Sequence, residues 1–411
     1  MPSGGSTRAR FVTDELVVAI PHQKLVLDQL NELGELVTRA RVDRSDRRLG
    51  LSTISVTHAG AADGPALDHL LGAIREQCRV RYDGWIPTMG KNRLLQRIDG
   101  VSGYVGGGGG IDGASGYVGG GGGGLPTAAD ASALPPPTAG NAGRDVHVAI
   151  LDTRLFPHPD LAGRYYTESS DALLDEKDEF PYHAGHSTFV AGLVTQSAPM
   201  VELEILNVLD NQLAAATAWD VAVRMAAFAD SDVNVLNLSL GCFTDDGDAP
   251  LLLKRAVELL TPQTIVVAAA GNHGGGVSAA GDVMPQTPFW PAALDDVVAV
   301  GAHDSARQRA AFSPDTPWIT LSAPGVDVAS TYLRGAVEMP REGSSDGSTE
   351  LQDFGGYATW SGTSFAAAAV SGKIAAGTVP GRRAAREALS DLLSQSPTDP
   401  GVDVWAYDHG R

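Results

Sequence analysis

With 411 residues, 43% of them hydrophobic, and a formal net charge of −19 at pH 7, the chain has material for one large globular domain and a smaller companion, at about 100–200 residues per domain. It lacks the clustered Lys and Arg that hold nucleic acid through counterion release, and its two cysteines, Cys78 and Cys242, read as structural thiols, too few for a disulfide framework. No apolar run approaches the ~18 residues of a membrane span, and Met1 to Arg10 has no apolar core like that of a secretory signal, so a cytoplasmic protein is expected, with unconventional export or an upstream start kept open.

In chain order, Leu16 to Ile20 reads as a strand and Leu25 to Leu33 carries apolar residues at helical spacing. Leu36 to Val42 and Leu49 to Val56 alternate as strands do, Leu67 to Ile74 is helical again, and Val80 to Tyr82 reads as a closing strand. This βαββαβ order predicts a small α+β, ferredoxin-like domain over residues 1–98. Next, Ser102-Gly103-Tyr104-Val105 followed by five glycines is echoed by Ser115-Gly116-Tyr117-Val118 followed by six. A phosphate-cradling loop would need a strand before it and a helix after it, whereas Leu125-Pro126 and Pro135-Pro136-Pro137 follow here. Residues 99–143 therefore read as a Gly/Pro-rich linker, accessible to self-cleavage.

From residue 144 onward the pattern changes to short apolar runs. Val148 to Thr153 is one of strand length, placing Asp152 at the carboxyl end of a buried strand, the end where ligands gather in α/β sheets. His186-Ser187-Thr188-Phe189-Val190-Ala191-Gly192 sets an imidazole ahead of a small, apolar helical stretch. Val235 to Gly241, Val266 to Asn272, Val298 to Ala302 and Ala323-Pro324-Gly325 follow, and Ser361-Gly362-Thr363-Ser364 heads an alanine-rich run. A serine hydroxyl is a weak nucleophile that needs a base and a third group to orient that base. Asp, His and Ser are available in that order. Singly, each segment has an ordinary reading as a buried strand, a helix cap or a turn; order, identity and spacing together point to a site.

Between Arg144 and the C-terminus, these segments resemble the subtilisin-like serine proteases, the subtilases, whose triad has this order. The resemblance implies an α/β fold with a doubly wound, mostly parallel sheet. It implies a serine endopeptidase acting on polypeptide substrates, with Asp152 orienting, His186 as general base and then acid, Ser364 as nucleophile, and Asn272 with the Ser364 backbone N–H as oxyanion donors. Ser239, Leu240 and Gly241 on one side and Ala270 and Gly271 on the other look like walls of the pocket for the residue before the scissile bond. The N-terminal domain then corresponds to a propeptide, an inhibitor carried by the chain itself.

No cofactor is read, and calcium is left open because backbone-carbonyl ligands leave no side-chain signature. Departures from the family pattern are Ser187, Phe189 and the Phe365 to Val370 run. Phe365 is expected to narrow the pocket after the scissile bond. Trp290-Pro291 is expected to be cis, and Arg334 to Tyr357 to be a surface loop. The alternatives are a non-catalytic peptide-binding or scaffolding module on the same fold, and a nucleotide-binding α/β domain.

Overall fold

In the computed structural model, which describes residues 10–60, 64–98, 124–136, 138, 140–167, 172–175, 179–209, 215–275, 283–341 and 348–408, the chain begins with β1 (Phe11–Ala19), α1 (Gln23–Glu32), β2 (Val37–Asp46), β3 (Leu51–His58), α2 (Gly64–Arg81) and β4 (Met89–Arg97). The four strands are antiparallel in the order β4-β1-β3-β2. Alternate side chains leave a strand on opposite faces. Leu16, Val18, Ile54 and Val56 meet Val26 and Leu30 of α1 and Leu67, Leu70 and Ile74 of α2. Val17, Ala19, Leu51 and Leu95 face the other way, into a core shared with later residues such as Trp219, Leu236 and Leu253.

The closing strand is not at Val80 to Tyr82. Helix α2 runs on through Arg81, leaving Val80 76% exposed, and the strand is β4, further along. Its sequence hides it, because Lys91, Asn92 and Arg93 interrupt the apolar alternation. Those side chains are buried only because partners from elsewhere neutralise them. Lys91 Nζ donates to Asp245 at 2.6 Å, Arg93 bonds Asp245 and Asp246, and Asn92 bonds Glu15 and the backbone N–H of Trp219. Burial pushes the Asp245 carboxyl up, but the hydrogen bonds and charges of Lys91 and Arg93 outweigh it and hold the pKa below the ordinary carboxylate range.

The second part comprises β5 (Thr127–Ala129), β6 (His147–Asp152), β7 (Tyr165–Tyr166), β8 (Glu179–Pro181), α3 (His186–Ser197), β9 (Glu202–Asn207), β10 (Ala215–Thr217), α4 (Ala218–Ala227), β11 (Val235–Leu238) and β12 (Leu240–Gly241). It continues with α5 (Leu251–Leu260), β13 (Ile265–Ala269), β14 (Val298–His303), β15 (Leu321–Pro324), β16 (Val328–Pro340), β17 (Thr349–Trp360), α6 (Thr363–Gly377), α7 (Ala385–Leu393) and β18 (Trp405–Ala406). Eight strands form one sheet in the order β18-β15-β14-β13-β11-β6-β9-β7, parallel except where β18 meets β15.

The central strands are apolar throughout because helices cover both faces. Val148, Ile150, Val235 and Val267 pack with Val190, Val194, Val370 and Ile374 of α3 and α6, while Ala149, Leu151, Leu236 and Val266 pack with Ala222, Met225, Leu252 and Leu253 of α4 and α5. Helices α3 and α6 cross closely, since a Cβ at Gly372 would lie 2.8 Å from the carbonyl oxygen of Val194.

The described residues between Arg334 and Tyr357 are not a loop: all but Arg341 and Ser348 lie on β16 and β17, a long antiparallel pair flanked by β5 and β8. Only one face is covered, through Val337, Met339 and Phe354, and glycines with positive φ at Gly335 and Gly356 bend it. A half-buried, glycine-interrupted strand therefore reads as a loop from composition alone. The Trp290-Pro291 bond is cis, as expected. Cys78 and Cys242 are buried free thiols, and burial pushes Cys242 up to about 12. Among the described residues no helix is long and apolar enough to cross a membrane. The repeated glycine segments, residues 102–124 except Gly124, lie outside the described residues.

Candidate active site

Asp152 is the last residue of β6, whose neighbours β11 and β9 lie on its two sides, and His186 is the first residue of α3. The strand end and the helix start bring the two side chains together in the interior. His186 Nδ1 lies 2.8 Å from both Asp152 oxygens, and the side chains are 1% and 0% exposed. Asp152 Oδ1 also accepts the Thr153 N–H at 2.7 Å. A carboxylate at Nδ1 keeps that nitrogen protonated and leaves the Nε2 lone pair to accept a proton.

Ser364 sits in the first turn of α6, which packs against α3. Its Oγ and His186 Nε2 are both shielded from solvent and without a hydrogen-bond partner among the described residues. Two unsatisfied buried polar atoms on adjacent helices are costly to keep, and catalytic hydrogen bonds are often open until substrate tightens them.

Asn272 follows β13 through Gly271, which adopts φ +96°. The Thr363 hydroxyl accepts the Gly271 N–H at 3.1 Å and donates to Asn272 Oδ1 at 3.0 Å, and the Thr363 N–H donates to the same oxygen at 3.0 Å. With its oxygen so engaged, the carboxamide turns its NH₂ to the other side, where a Cβ on Gly362 would lie 3.4 Å from Nδ2. The Ser364 N–H, in a first turn without intrahelical acceptors, is the neighbouring donor, at the positive end of the helix. Two donors beside a hydroxyl can stabilise charge developing on a carbonyl oxygen. An Asn272→Leu chain is therefore expected to lose about 10²–10³ in kcat with little change in KM. Loss confined to KM, in steady-state kinetics on a peptide, would refute that role.

Ser239 Oγ donates to the Ser364 carbonyl at 3.2 Å and accepts from Asn237 Nδ2 at 3.1 Å, while Asn237 Oδ1 accepts from Ser371 Oγ at 3.0 Å. This buried chain ties the expected first wall to the helix carrying Ser364. Leu240 and Gly241 form β12, and an extended segment already runs along it. Strand β4 of the N-terminal sheet pairs antiparallel with β12 on one side (Leu240 with Arg97, Gly241 with Gln96) and with β10 on the other. Ala270 and Gly271, expected on the opposite wall, are both buried, with Ala270 at 0% exposure.

Three rings that the sequence reading did not single out, Phe243, His273 and Phe289, cluster against these walls. The Phe243 ring lies 5.0 Å from each of the other two. A Cβ at Gly241 would come within 2.4 Å of Phe289, and one at Gly271 within 2.8 Å of His273 Nδ1. Only the adjacency of Phe289 to the cis Trp290-Pro291 step could have drawn attention to it. His273 Nε2 donates to Thr287 O at 3.0 Å, and burial lowers its pKa to about 4.

The folded chain thus refuses a proton that the unfolded chain takes up below about pH 6.5. Stability from this group is full above pH 6.5 and falls as the pH drops toward 4, by up to about 3 kcal/mol. Urea midpoints of a Ser364→Ala chain should fall more between pH 7 and 4.5 than those of the same chain with His273→Gln; equal falls would contradict this.

Phe365 lies beside the histidine. Its ring is buried, 4.5 Å from Phe189, 5.1 Å from Trp360 and 5.6 Å from the His186 imidazole. Phe189 and Phe365, two of the departures noted above, pack on each other beneath the histidine. Among the described residues no three His, Cys, Asp or Glu side chains converge as metal ligands.

Residues 143–399 match the family model described as "Subtilase family". Among similar proteins is the "Thermophilic serine proteinase" of Bacillus sp. (strain AK1), 30% identical over 277 residues, covering 64% of this chain and 60% of that protein. Another is the "Intracellular serine protease" of Paenibacillus polymyxa, 30% identical over 248 residues, covering 57% of this chain and 66% of that protein. The chain thus spans less than two thirds of either relative. Among solved structures, fervidolysin from Fervidobacterium pennivorans, described as a keratinolytic enzyme related to subtilisin, superimposes with a TM-score of 0.55 at 16% identity, covering 92% of this chain and 57% of that one. That likeness concerns the fold.

Proposed function

The chain belongs to the subtilase family, and from that premise we propose that it is a serine-type endopeptidase cutting polypeptides through an acyl-enzyme. The observation that carries this reading is the buried Asp152–His186 pair, 2.8 Å apart, beside the helix that starts at Thr363. Ser364 Oγ attacks the substrate carbonyl carbon and His186 Nε2 takes its proton. Asp152 holds the imidazolium in place, while Asn272 Nδ2 and the Ser364 N–H receive the oxyanion. Collapse breaks the C–N bond as His186 returns the proton to the leaving amine. Water, deprotonated by the same ring, then cleaves the ester. Ser239, Leu240 and Gly241 with Ala270 and Gly271 are the walls between which the substrate lies, paired as an added strand.

The same proposal assigns residues 1–98 as a ferredoxin-like propeptide domain that inhibits the site, residues 99–143 as the tether in which self-processing occurs, and residues 144–411 as the peptidase domain. Supporting it are the seat of β4 between β10 and β12 and the Lys91–Asp245–Arg93 contacts beside it. The test is intact mass after a fluorophosphonate that labels activated serines. An adduct on the wild-type chain, absent from Ser364→Ala, is expected. No adduct on wild type, whole or cleaved within residues 86–144, would leave a peptide-binding or scaffolding module.

A further inference from the structure

From the seating of β4 we infer that this site selects peptides with a branched aliphatic residue immediately before the cut bond and an arginine before that, and that the chain's own first cut falls after Ile98. This rests on the peptidase reading above. In an antiparallel ladder each step forward on one strand is a step back on its partner. Gly241 faces Gln96 and Leu240 faces Arg97, and the same register carried one step beyond the paired residues sets Ile98 opposite Ser239. Ser239 is also the residue whose Oγ holds the Ser364 carbonyl at 3.2 Å. That register assigns the carbonyl of Ile98 to the nucleophile. Hydrolysis there breaks the C–N bond after Ile98; water supplies the hydroxyl of the new carboxyl group and the hydrogen of the new amine.

When a strand is added to a wall, main-chain pairing supplies affinity and side-chain pockets supply selectivity. Ile98 is 8% exposed and belongs to the same apolar cluster as Phe289 and Phe365. The space beside Gly241 and Gly271 is already filled. Phe289 lies against Gly241 and His273 against Gly271, each closer than a methyl group could stand. A four-carbon branched side chain fits above these rings, whereas a second aromatic ring or a long cation would have to displace them. His273 is uncharged at neutral pH and offers no countercharge to a lysine.

Arg97 is 5% exposed, with its guanidinium carbon 5.3 Å from the centre of the Tyr182 ring. Tyr182 opens the short turn that leads into His186. A planar guanidinium on an aromatic face keeps its favourable interaction when water is excluded, which an alanine does not reproduce. Leu95, fully buried with Trp219, Ala222 and Leu240, is a third anchor. Gln96 is held by backbone pairing to Ala215 and Gly241. The recognised pattern is Leu-x-Arg-Ile, cut after Ile.

The test follows intact mass of the full chain over time, together with kcat/KM of the processed enzyme on quenched peptides containing Leu-Gln-Arg-Ile, Leu-Gln-Arg-Phe and Leu-Gln-Ala-Ile. A fragment ending at Ile98 is expected from wild type, slowed about tenfold or more by Ile98→Lys. The Phe peptide should fall about tenfold or more below the Ile peptide, and the Ala peptide about tenfold below it. Phe289→Ala should shift the Phe/Ile ratio upward about tenfold. Fluorophosphonate labelling of each variant reports whether its site is assembled. Labelled enzyme that cuts elsewhere in the tether regardless of Ile98→Lys, or that treats the three peptides alike, overturns the inference and leaves the peptidase reading standing. Wild type that takes no label overturns both.

Discussion

A Ser364→Ala chain is expected to lose about 10⁶ in kcat on any peptide, a magnitude measured in subtilisin rather than derived from this geometry. The size follows from the role. Without Oγ there is no acyl-enzyme, and what remains is the rate that oxyanion donors and substrate positioning can give a bound water. The fold should be indifferent to the change. Ser364 Oγ is buried and makes no hydrogen bond among the described residues, so its removal leaves no partner unsatisfied, and stability should stay within about 1 kcal/mol or rise slightly. Single-turnover kinetics and a urea titration on the same preparation separate the two effects. Turnover near the wild-type rate would sink the assignment of Ser364.

Asp152→Asn is expected to cost about 10⁴ in kcat. The carboxylate now accepts from His186 Nδ1 at 2.8 Å through both oxygens. A carboxamide in its place can present an NH₂ group to that nitrogen, favouring the tautomer with the proton on Nε2, which cannot take one from serine. Size and shape barely change, and the Thr153 N–H, now 2.7 Å from Oδ1, can still find the amide oxygen. The loss should therefore appear in kcat while substrate binding and fold persist. A variant retaining more than a tenth of wild-type kcat would mean that another group orients the imidazole.

The two effects differ in what the site can do without. Removing the nucleophile removes the covalent route, whereas misplacing a proton on the base leaves the route intact and the base in the wrong state. Comparing the variants under fluorophosphonate distinguishes them further. Ser364→Ala can take no adduct at that position, and Asp152→Asn should take one slowly.

Much of this was legible from local sequence because local sequence is where the cause lies. A strand buried on both faces must be a run such as Val148 to Leu151, and a residue at its end must stand at the edge of the sheet, which places Asp152. Small residues after His186 and Ser364 let α3 and α6 approach each other, as Gly372 against Val194 requires. These demands recur in a fixed order along the chain and can be read without knowing what touches what.

The features that the sequence concealed are those whose cause lies far away in the chain. Lys91 and Arg93 disguise β4 because the carboxylates that permit their burial are 154 and 152 residues distant. The long pair β16–β17 shows so few apolar residues because only one of its faces is covered, and by residues distant in the chain. Phe243, His273 and Phe289 carry no sequence mark, yet converge on the walls at Gly241 and Gly271. Sequence by itself determined the layered α/β domain and the identity of the chemical groups, since periodicity and residue type act over a few residues. Only the tertiary structure decided which strand pairs with β12 and which rings stand against Gly241 and Gly271, because packing between distant segments has no local signature.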